Sequence, residues 1–261
     1  MNYPSQSLIV VERPDPAIVL LRLNRPRQRN ALSAALLGQL AHALRTARTD
    51  ETVRCVVLTG DEHAFSAGAD IKEMQQLGFE ALNDPERQAA WDCIAAFPKP
   101  LIAAVRGVCL GGGLELAMLA DILLVADDSM LAQPEITIGI MPGDGATQRL
   151  TRMVGKSLAM QMVLSGEPIS AQQAMAAGLA SEMLPATEVL ARALAIARVI
   201  SERAPIAARL AKESVLAAYE TPLSAGLAIE RRAIRYAFTT QDQKEGMAAF
   251  VQKRPAVFSG R

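Results

Sequence analysis

The stretch Gly107–Asp121 reads G-V-C-L-G-G-G-L-E-L-A-M-L-A-D. The apolar run Leu101–Val105 leads into it as a strand. Gly111, Gly112 and Gly113 then break the run, and Leu114, Leu116, Ala117, Met118 and Ala120 recur at helical spacing. This is a strand–turn–helix unit of an α/β fold. Glu115 is the single charge inside the helix start. One reading places it there because acids favour helix N-termini, where backbone N–H groups are unpaired. A second has Gly112 offering its N–H to a substrate oxyanion while Glu115, one turn on, holds a proton or a water. The stretch alone leaves both open.

Upstream, Leu8–Val11 and Ile18–Leu23 read as two strands joined by an R-P-D-P turn. The loop Asn24–Asn30 carries Arg25, Arg27 and Arg29, which suit either a solvated face or a phosphate. Ser33 caps a helix whose Leu36, Leu37, Leu40 and Leu44 share one face. Val53–Leu58 is a β-branched run typical of a buried parallel strand. A-F-S-A-G-A-D (Ala64–Asp70) is a second strand-to-helix turn made of small residues, which allow a backbone to approach a ligand. Gly78–Asp84 reads as a loop and Pro85–Phe97 as a helix. The F-P-K-P run that begins at Phe97 ends that helix.

Downstream, Ile122–Ala126 is another buried strand. Glu135 follows among Ile136, Ile138 and Ile140. Helices are predicted at Thr147–Met153, Lys156–Leu164 and Ala171–Ala177, the last capped by Ser170 and stopped by Gly178. This alternation argues a mainly parallel sheet. From about Thr187 only helices are predicted: Glu188–Arg203, Pro205–Tyr219, Ser224–Thr239 and Gln243–Gln252.

The bulk numbers exclude several classes. A chain of 261 residues suits one large domain, or one with an appendage. Lys+Arg and Asp+Glu are 27 each, so the formal charge is zero and nothing points to nucleic acid or an anionic membrane. The N-terminal M-N-Y-P-S-Q-S does not read as a secretory signal. The most apolar window, Leu101–Ala126, is interrupted by Arg106, Glu115 and Asp121, which argues against a membrane span. Cys55, Cys93 and Cys109 show no paired spacing and fit reduced thiols in a cytoplasmic setting. With only His42 and His63, neither a Cys/His pair nor a histidine metal site is supported. Gly155-Lys156-Ser157 lacks the earlier glycine of a P-loop, since position 150 is Leu150. The triple glycine is out of register for a dinucleotide fingerprint, and Ala64 stands where a nucleophile elbow would need glycine.

Two small-residue turns, around Ala69 and Gly112, and two carboxylates in apolar settings, Glu115 and Glu135, remain. Two backbone donors can form an oxyanion hole. Two carboxylates can manage protons at adjacent carbons, burial and repulsion pushing one of them upward.

These features come together in a resemblance to the crotonase superfamily, and to its enoyl-CoA hydratases in particular. It runs from about Ile9 to Arg261. It is carried by N-R-P-x-x-x-N-A-L (Asn24–Leu32), A-F-S-A-G-A-D-I-K-E-M (Ala64–Met74), K-P-L-I-A-A-V-x-G (Lys99–Gly107) and L-G-G-G-L-E-L-A (Leu110–Ala117). Q-P-E-I-T-I-G-I-M-P-G (Gln133–Gly143), T-Q-R-L (Thr147–Leu150) and E-G-M-A-A-F-V-Q-K-R (Glu245–Arg254) continue it. The resemblance implies an α/β fold: a (ββα)n spiral core over residues 1–195 carrying CoA binding and catalysis, then a helical oligomerisation segment over 196–261. It implies reversible syn addition of water across the 2,3-double bond of a trans-2-enoyl-CoA, with the thioester as substrate and neither cofactor nor metal.

By the same resemblance, Ala69 and Gly112 supply the oxyanion-hole N–H groups. Glu115 activates the water, Glu135 handles the α-proton, and Gly143 offers a donor near the water. Arg27, Gln28 and Arg29, the turn Ser66, Ala67, Gly68, Asp70 and Ile71, and Lys72 are implied at the CoA. Phe250 and Lys253 would reach the CoA of a neighbouring subunit in a homohexamer built as a dimer of trimers. An isomerase using Glu135, or an RNA-binding relative, would share the fold; zero net charge disfavours the latter. The segments Leu82–Trp91 and Pro134–Gly143 are most similar to the 2,3-dehydroadipyl-CoA hydratases of phenylacetate breakdown, with a general short-chain hydratase open beside them. One departure stands out. The family commonly reads P-G-A-G-G-T-Q-R-L and this chain reads P-G-D-G-A-T-Q-R-L. Asp144 is expected to cap the next helix, with contact to the acyl tail as the alternative.

Overall fold

Alternation along the buried strands decides the architecture. In Ile18–Leu23, Val19 and Leu21 fall in one apolar cluster, Ile18 and Leu20 in another. The same split recurs in Cys55–Thr59, Leu101–Val105 and Ile122–Ala126. Successive side chains point to opposite faces of a sheet, so a sheet apolar on both faces must be covered on both.

The computed structural model describes residues 7–261; the reading of the N-terminal segment over 1–6 lies outside them. In chain order the elements begin with strands β1 (Ile9–Asp15) and β2 (Ile18–Leu23), helix α1 (Ala34–Thr49), and strands β3 (Cys55–Thr59) and β4 (Ala64–Ser66). Three helices follow, α2 (Ile71–Leu77), α3 (Glu80–Asn83) and α4 (Pro85–Ala95), then β5 (Leu101–Val105), β6 (Val108–Leu110) and α5 (Gly112–Ala117). Next come β7 (Ile122–Ala126), β8 (Met130–Ala132), α6 (Ala146–Val154), α7 (Lys156–Ser165), β9 (Ile169–Ser170), α8 (Ala171–Ala176) and β10 (Glu182–Leu184). Helices α9 (Val189–Ser201), α10 (Pro205–Ala217), α11 (Leu223–Ala237) and α12 (Gln241–Gln252) close the chain. Short 3-10 turns lie at Pro26–Gln28 and Pro134–Ile138.

The strands form two sheets. The larger has the order β1-β2-β3-β5-β7-β10 and is parallel apart from the β1–β2 hairpin. Helices α1 and α4 cover one face through residues such as Leu36, Leu40, Trp91 and Ile94. Helix α9 covers the other through Val189, Ala193 and Ala197. The smaller sheet has the order β4-β6-β8-β9. Its first three strands run parallel, and β9 returns antiparallel.

The predicted parallel sheet and most predicted helices are present, including the Ser33 cap on α1 and the Ser170 cap on α8. Four local readings are corrected. The first strand runs on through Arg13, Pro14 and Asp15, with an irregular register after Glu12, so the turn comes later than R-P-D-P. The segment read as a loop at Gly78–Asp84 holds the one-turn helix α3. Leu101–Val105 does not run straight into the triple glycine, because β6 intervenes and belongs to the smaller sheet. Asp144 does not cap α6: Gly145 occupies the cap position and no side chain bonds there.

Candidate active site

The smaller sheet positions the site. Because β4, β6 and β8 are parallel neighbours, the chain leaves all three at the same edge. β4 gives way to the turn Ala67–Asp70, β6 to Gly111 and α5, and β8 to Gln133, Pro134 and Glu135. The C-terminal edge of parallel strands is where open α/β sheets gather ligand-binding loops.

The first turn is fastened from behind. Leu32 donates its N–H to Gly68 O at 2.7 Å and Asp70 donates to Leu32 O at 3.2 Å, a parallel bridge across Ala69. Extended backbone alternates its N–H directions, so the Ala69 N–H faces away from Leu32. Gly112 lies close by: a Cβ there would stand 3.5 Å from Ala69 N. Gly112 is the first residue of α5, and its N–H is one of the donors a helix start leaves unpaired. Among the described residues neither N–H donates within the protein. The structure thus brings Ala69 and Gly112 together as two free, adjacent donors.

Each neighbouring glycine answers a different demand. Gly111 holds φ 52°, and a Cβ there would meet Glu135 Oε1 at 2.7 Å. A Cβ on Gly113 would lie 2.5 Å from Ser66 O, so only glycine lets α5 pack directly on β4. Ser66 is fully buried. Its hydroxyl donates to Asn30 O at 2.8 Å and accepts from Gly68 N at 3.2 Å.

The two glutamates converge on these glycines from different elements. Glu115 is 2% exposed; its Oε1 accepts the N–H groups of Asp144 at 2.8 Å and Ala146 at 2.9 Å. Burial pushes its pKa up to about 7, the Ala146 N–H opposes this, and the negative charges of Asp144 and Glu135 add to it. Glu135 is half-buried at the Pro134–Ile138 turn. Burial raises its pKa, its own backbone N–H opposes this, and the negative charge of Asp144 adds a smaller upward push. Both carboxyls therefore lie above the ordinary range, and for Glu115 proton exchange near neutral pH becomes feasible.

Three residues that the sequence reading gave no role complete the site. Gln133 is fully buried beside Glu135. With its NH2 turned toward the carboxylate it donates to Oε1 at 3.1 Å and Oε2 at 3.2 Å. Asn30, also fully buried, donates to Ala64 O at 2.9 Å and Asp61 Oδ2 at 3.0 Å and accepts from Arg25 N at 2.8 Å. It ties the arginine loop to β4. Arg87 on α4 pairs with Asp144. Their burial cannot be read from the sequence; the available signal was a polar side chain set directly against a short apolar run, Leu131-Ala132 for Gln133 and Ala31-Leu32 for Asn30.

The implied CoA contacts divide. Arg25 is committed within the fold, to Ala31 O at 2.6 Å and Asp70 Oδ2 at 2.9 Å. Arg27, Gln28 and Arg29 are exposed on and just after the 3-10 turn, and Arg29 O holds the Ala67 N–H at 2.9 Å, so this loop adjoins the Ala67–Asp70 turn. Asp70 caps α2 and pairs with Arg25. Burial works against its ionised form, but Arg25 and the Glu73 N–H outweigh that and lower its pKa. Ile71 and Lys72 are exposed on the first turn of α2. Gly143 is exposed next to Asp144, whose own N–H, with that of Ala146, is what reaches Glu115. Phe250 is 85% exposed on α12 and Lys253 ends that helix at φ 52°.

This geometry has close counterparts. The pattern of the Enoyl-CoA hydratase/isomerase family matches residues 14–261. The chain belongs to that family. It is 48% identical to the mitochondrial enoyl-CoA hydratase of Pongo abelii over 92% of this chain and 82% of that one. It is 46% identical to the 2,3-dehydroadipyl-CoA hydratase of Escherichia coli over 98% of this chain and 100% of that one. The crystal structure of an enoyl-CoA hydratase from Bacillus anthracis superimposes with a TM-score of 0.93 at 37% identity, over 97% of this chain and 100% of that one. The family member therefore has the crotonase fold, and these relatives support an enoyl-CoA hydratase, a lyase acting on an acyl-CoA thioester.

Proposed function

We propose that this hydratase binds the thioester carbonyl of a trans-2-enoyl-CoA between the N–H groups of Ala69 and Gly112. Negative charge that grows on that oxygen as an enolate forms is then met by two preorganised donors. A water held at Glu115 attacks the β-carbon as Glu115 takes its proton. Glu135 delivers a proton to the α-carbon, and in reverse removes it. The reading is supported above all by one relationship: Glu135 lies against Gly111 and Glu115 beside Gly112, so two raised carboxyls flank the unpaired donors. The test is hydration of crotonyl-CoA, followed by loss of the conjugated thioester absorbance. Glu115→Gln and Glu135→Gln should each lower kcat by about 10²-fold or more. Near-wild-type hydration by either would sink the assignment.

The acyl group is a finer question. The full-length match to the Escherichia coli relative favours a dicarboxylic enoyl-CoA, and with it a place in phenylacetate breakdown. A panel of short, long and dicarboxylic enoyl-CoAs decides it by comparing kcat/KM. We also infer a cytoplasmic homohexamer, with Phe250 and Lys253 near a neighbour's CoA. Exposed Leu223, Phe250 and Val251, at 79%, 85% and 79%, are apolar surface that assembly would cover. Light scattering on the purified protein tests the assembly; a monomer would refute it.

A further inference from the structure

Asp144 stands in two opposed relations to Glu115. Its backbone N–H donates to Glu115 Oε1 at 2.8 Å, which favours the ionised glutamate. Its own carboxylate is a like charge acting on both Glu115 and Glu135, which disfavours ionisation of either. A third carboxylate in a dry site needs a counter-charge. Arg87 supplies it from α4, through Nη2 to Asp144 Oδ2, with the two side chains only 14% and 13% exposed. The guanidinium also lies over the ring of Trp91, 6.0 Å from its centroid, and Trp91 is core. Arg149, on α6, donates to the Asp144 carbonyl oxygen at 3.0 Å. Among the described residues, the Asp144 carboxylate has its ion pair with Arg87 alone. The charges acting on Glu115 are Glu135 from the turn after β8 and Asp144 from the loop before α6; Arg149 of α6 and Arg87 of α4 both bond Asp144.

We propose that Arg87 is a positioning residue for hydration: by neutralising Asp144 it sets the charge balance of the Glu115–Glu135 pair without touching the reacting atoms. The proposal rests on the roles assigned above to those two glutamates. Its consequence is directional. Removing Arg87 leaves an uncompensated negative charge beside both carboxyls, so both hold their protons to higher pH. Removing the Asp144 charge leaves Arg87 unopposed and does the reverse. Removing both restores the balance.

The experiment is the pH profile of kcat/KM for crotonyl-CoA in wild type, Arg87→Gln, Arg87→Lys, Asp144→Asn and the Arg87→Gln/Asp144→Asn double variant. Arg87→Gln should move both limbs of the profile to higher pH by about half a unit or more. Asp144→Asn should move them lower. Arg87→Lys and the double variant should return toward wild type. A merely structural role would lower the height of the profile and leave its position alone. An Arg87→Gln profile that superimposes on wild type in position overturns the proposal, as does a double variant that keeps the Arg87→Gln displacement. Should Arg87→Gln fail to fold, Asp144→Asn decides, and an unmoved profile there overturns it. Glu115→Gln and Glu135→Gln are run in parallel. If either hydrates normally, the reading of the glutamates fails; if both collapse and Arg87→Gln is unmoved, only the role of Arg87 fails.

Discussion

A side-chain carbon on Gly111 would stand 2.7 Å from Glu135 Oε1, closer than the two atoms can approach. Gly111 also holds φ 52° and ψ −127°, the mirror-β region that glycine enters freely and that strains any residue with a Cβ. The glycine thus does two things at once: it turns the chain from β6 into α5, and it leaves room for a carboxylate arriving from β8. Gly111→Ala should fold with a lowered Tm and lose about 10²-fold or more in kcat, because Glu135 is displaced from the donors. Steady-state kinetics with crotonyl-CoA beside a melting curve checks this. Unchanged kcat would show that Glu135 does not act from its observed position.

Glu115 should also leave a mark on stability. Its folded pKa of about 7 lies above the ordinary 4.5. The folded state therefore holds a proton that the unfolded chain releases between those values. The linked stability is fully present below pH 4.5 and is lost as pH rises to about 7 and beyond. Across that window it amounts to roughly 2–3 kcal/mol. Glu115→Gln removes the titration, so its Tm should exceed that of wild type at pH 8 by more than it does at pH 5. An equal difference at both values would mean that Glu115 titrates normally in the fold.

The same contrast explains what could be read from the sequence. Strands with both faces buried, such as Leu101–Val105, announce themselves as continuous apolar runs, and caps such as Ser33 and Ser170 sit at fixed offsets from helices. The three-residue strands β6 and β8 have no period to detect, yet they align the site. Glu115 was legible because a charge interrupts an apolar helix. The donors at Ala69 and Gly112 have no side-chain signature: their turns were legible only as runs of small residues, and the resemblance was what gave the two N–H groups their role. Asp144 was misread because an aspartate ahead of a helix ordinarily caps it, and a partner 57 positions away in sequence cannot be seen from local pattern.

Asp70 joins the oxyanion turn to the arginine loop. It caps α2 through the Glu73 N–H at 3.3 Å and pairs with Arg25 at 2.9 Å, the two side chains 15% and 17% exposed. Asp70→Asn keeps an oxygen for the cap but gives up the charge. It should cost about 1–2 kcal/mol of stability, seen as a lower Tm, and raise KM for crotonyl-CoA as the turn loosens. A rise in KM with Tm unchanged would mean instead that the charge acts on the substrate directly.

Arg27 and Arg29 are exposed at the mouth of the same loop, while Arg25 is already spent on Asp70 and Ala31. If the first two serve the nucleotide end of CoA, they bind ground state and transition state alike, and their loss should appear in KM with kcat intact. The double variant Arg27→Ala/Arg29→Ala should raise KM for crotonyl-CoA by roughly tenfold, the effect shrinking as salt screens the contact. Crotonyl N-acetylcysteamine, which has the thioester but no phosphates, separates binding from folding. Its kinetics should be the same in variant and wild type. Equal losses with both thioesters would place the fault in the loop's hold on Ala67, through Arg29 O, and not in recognition of phosphate.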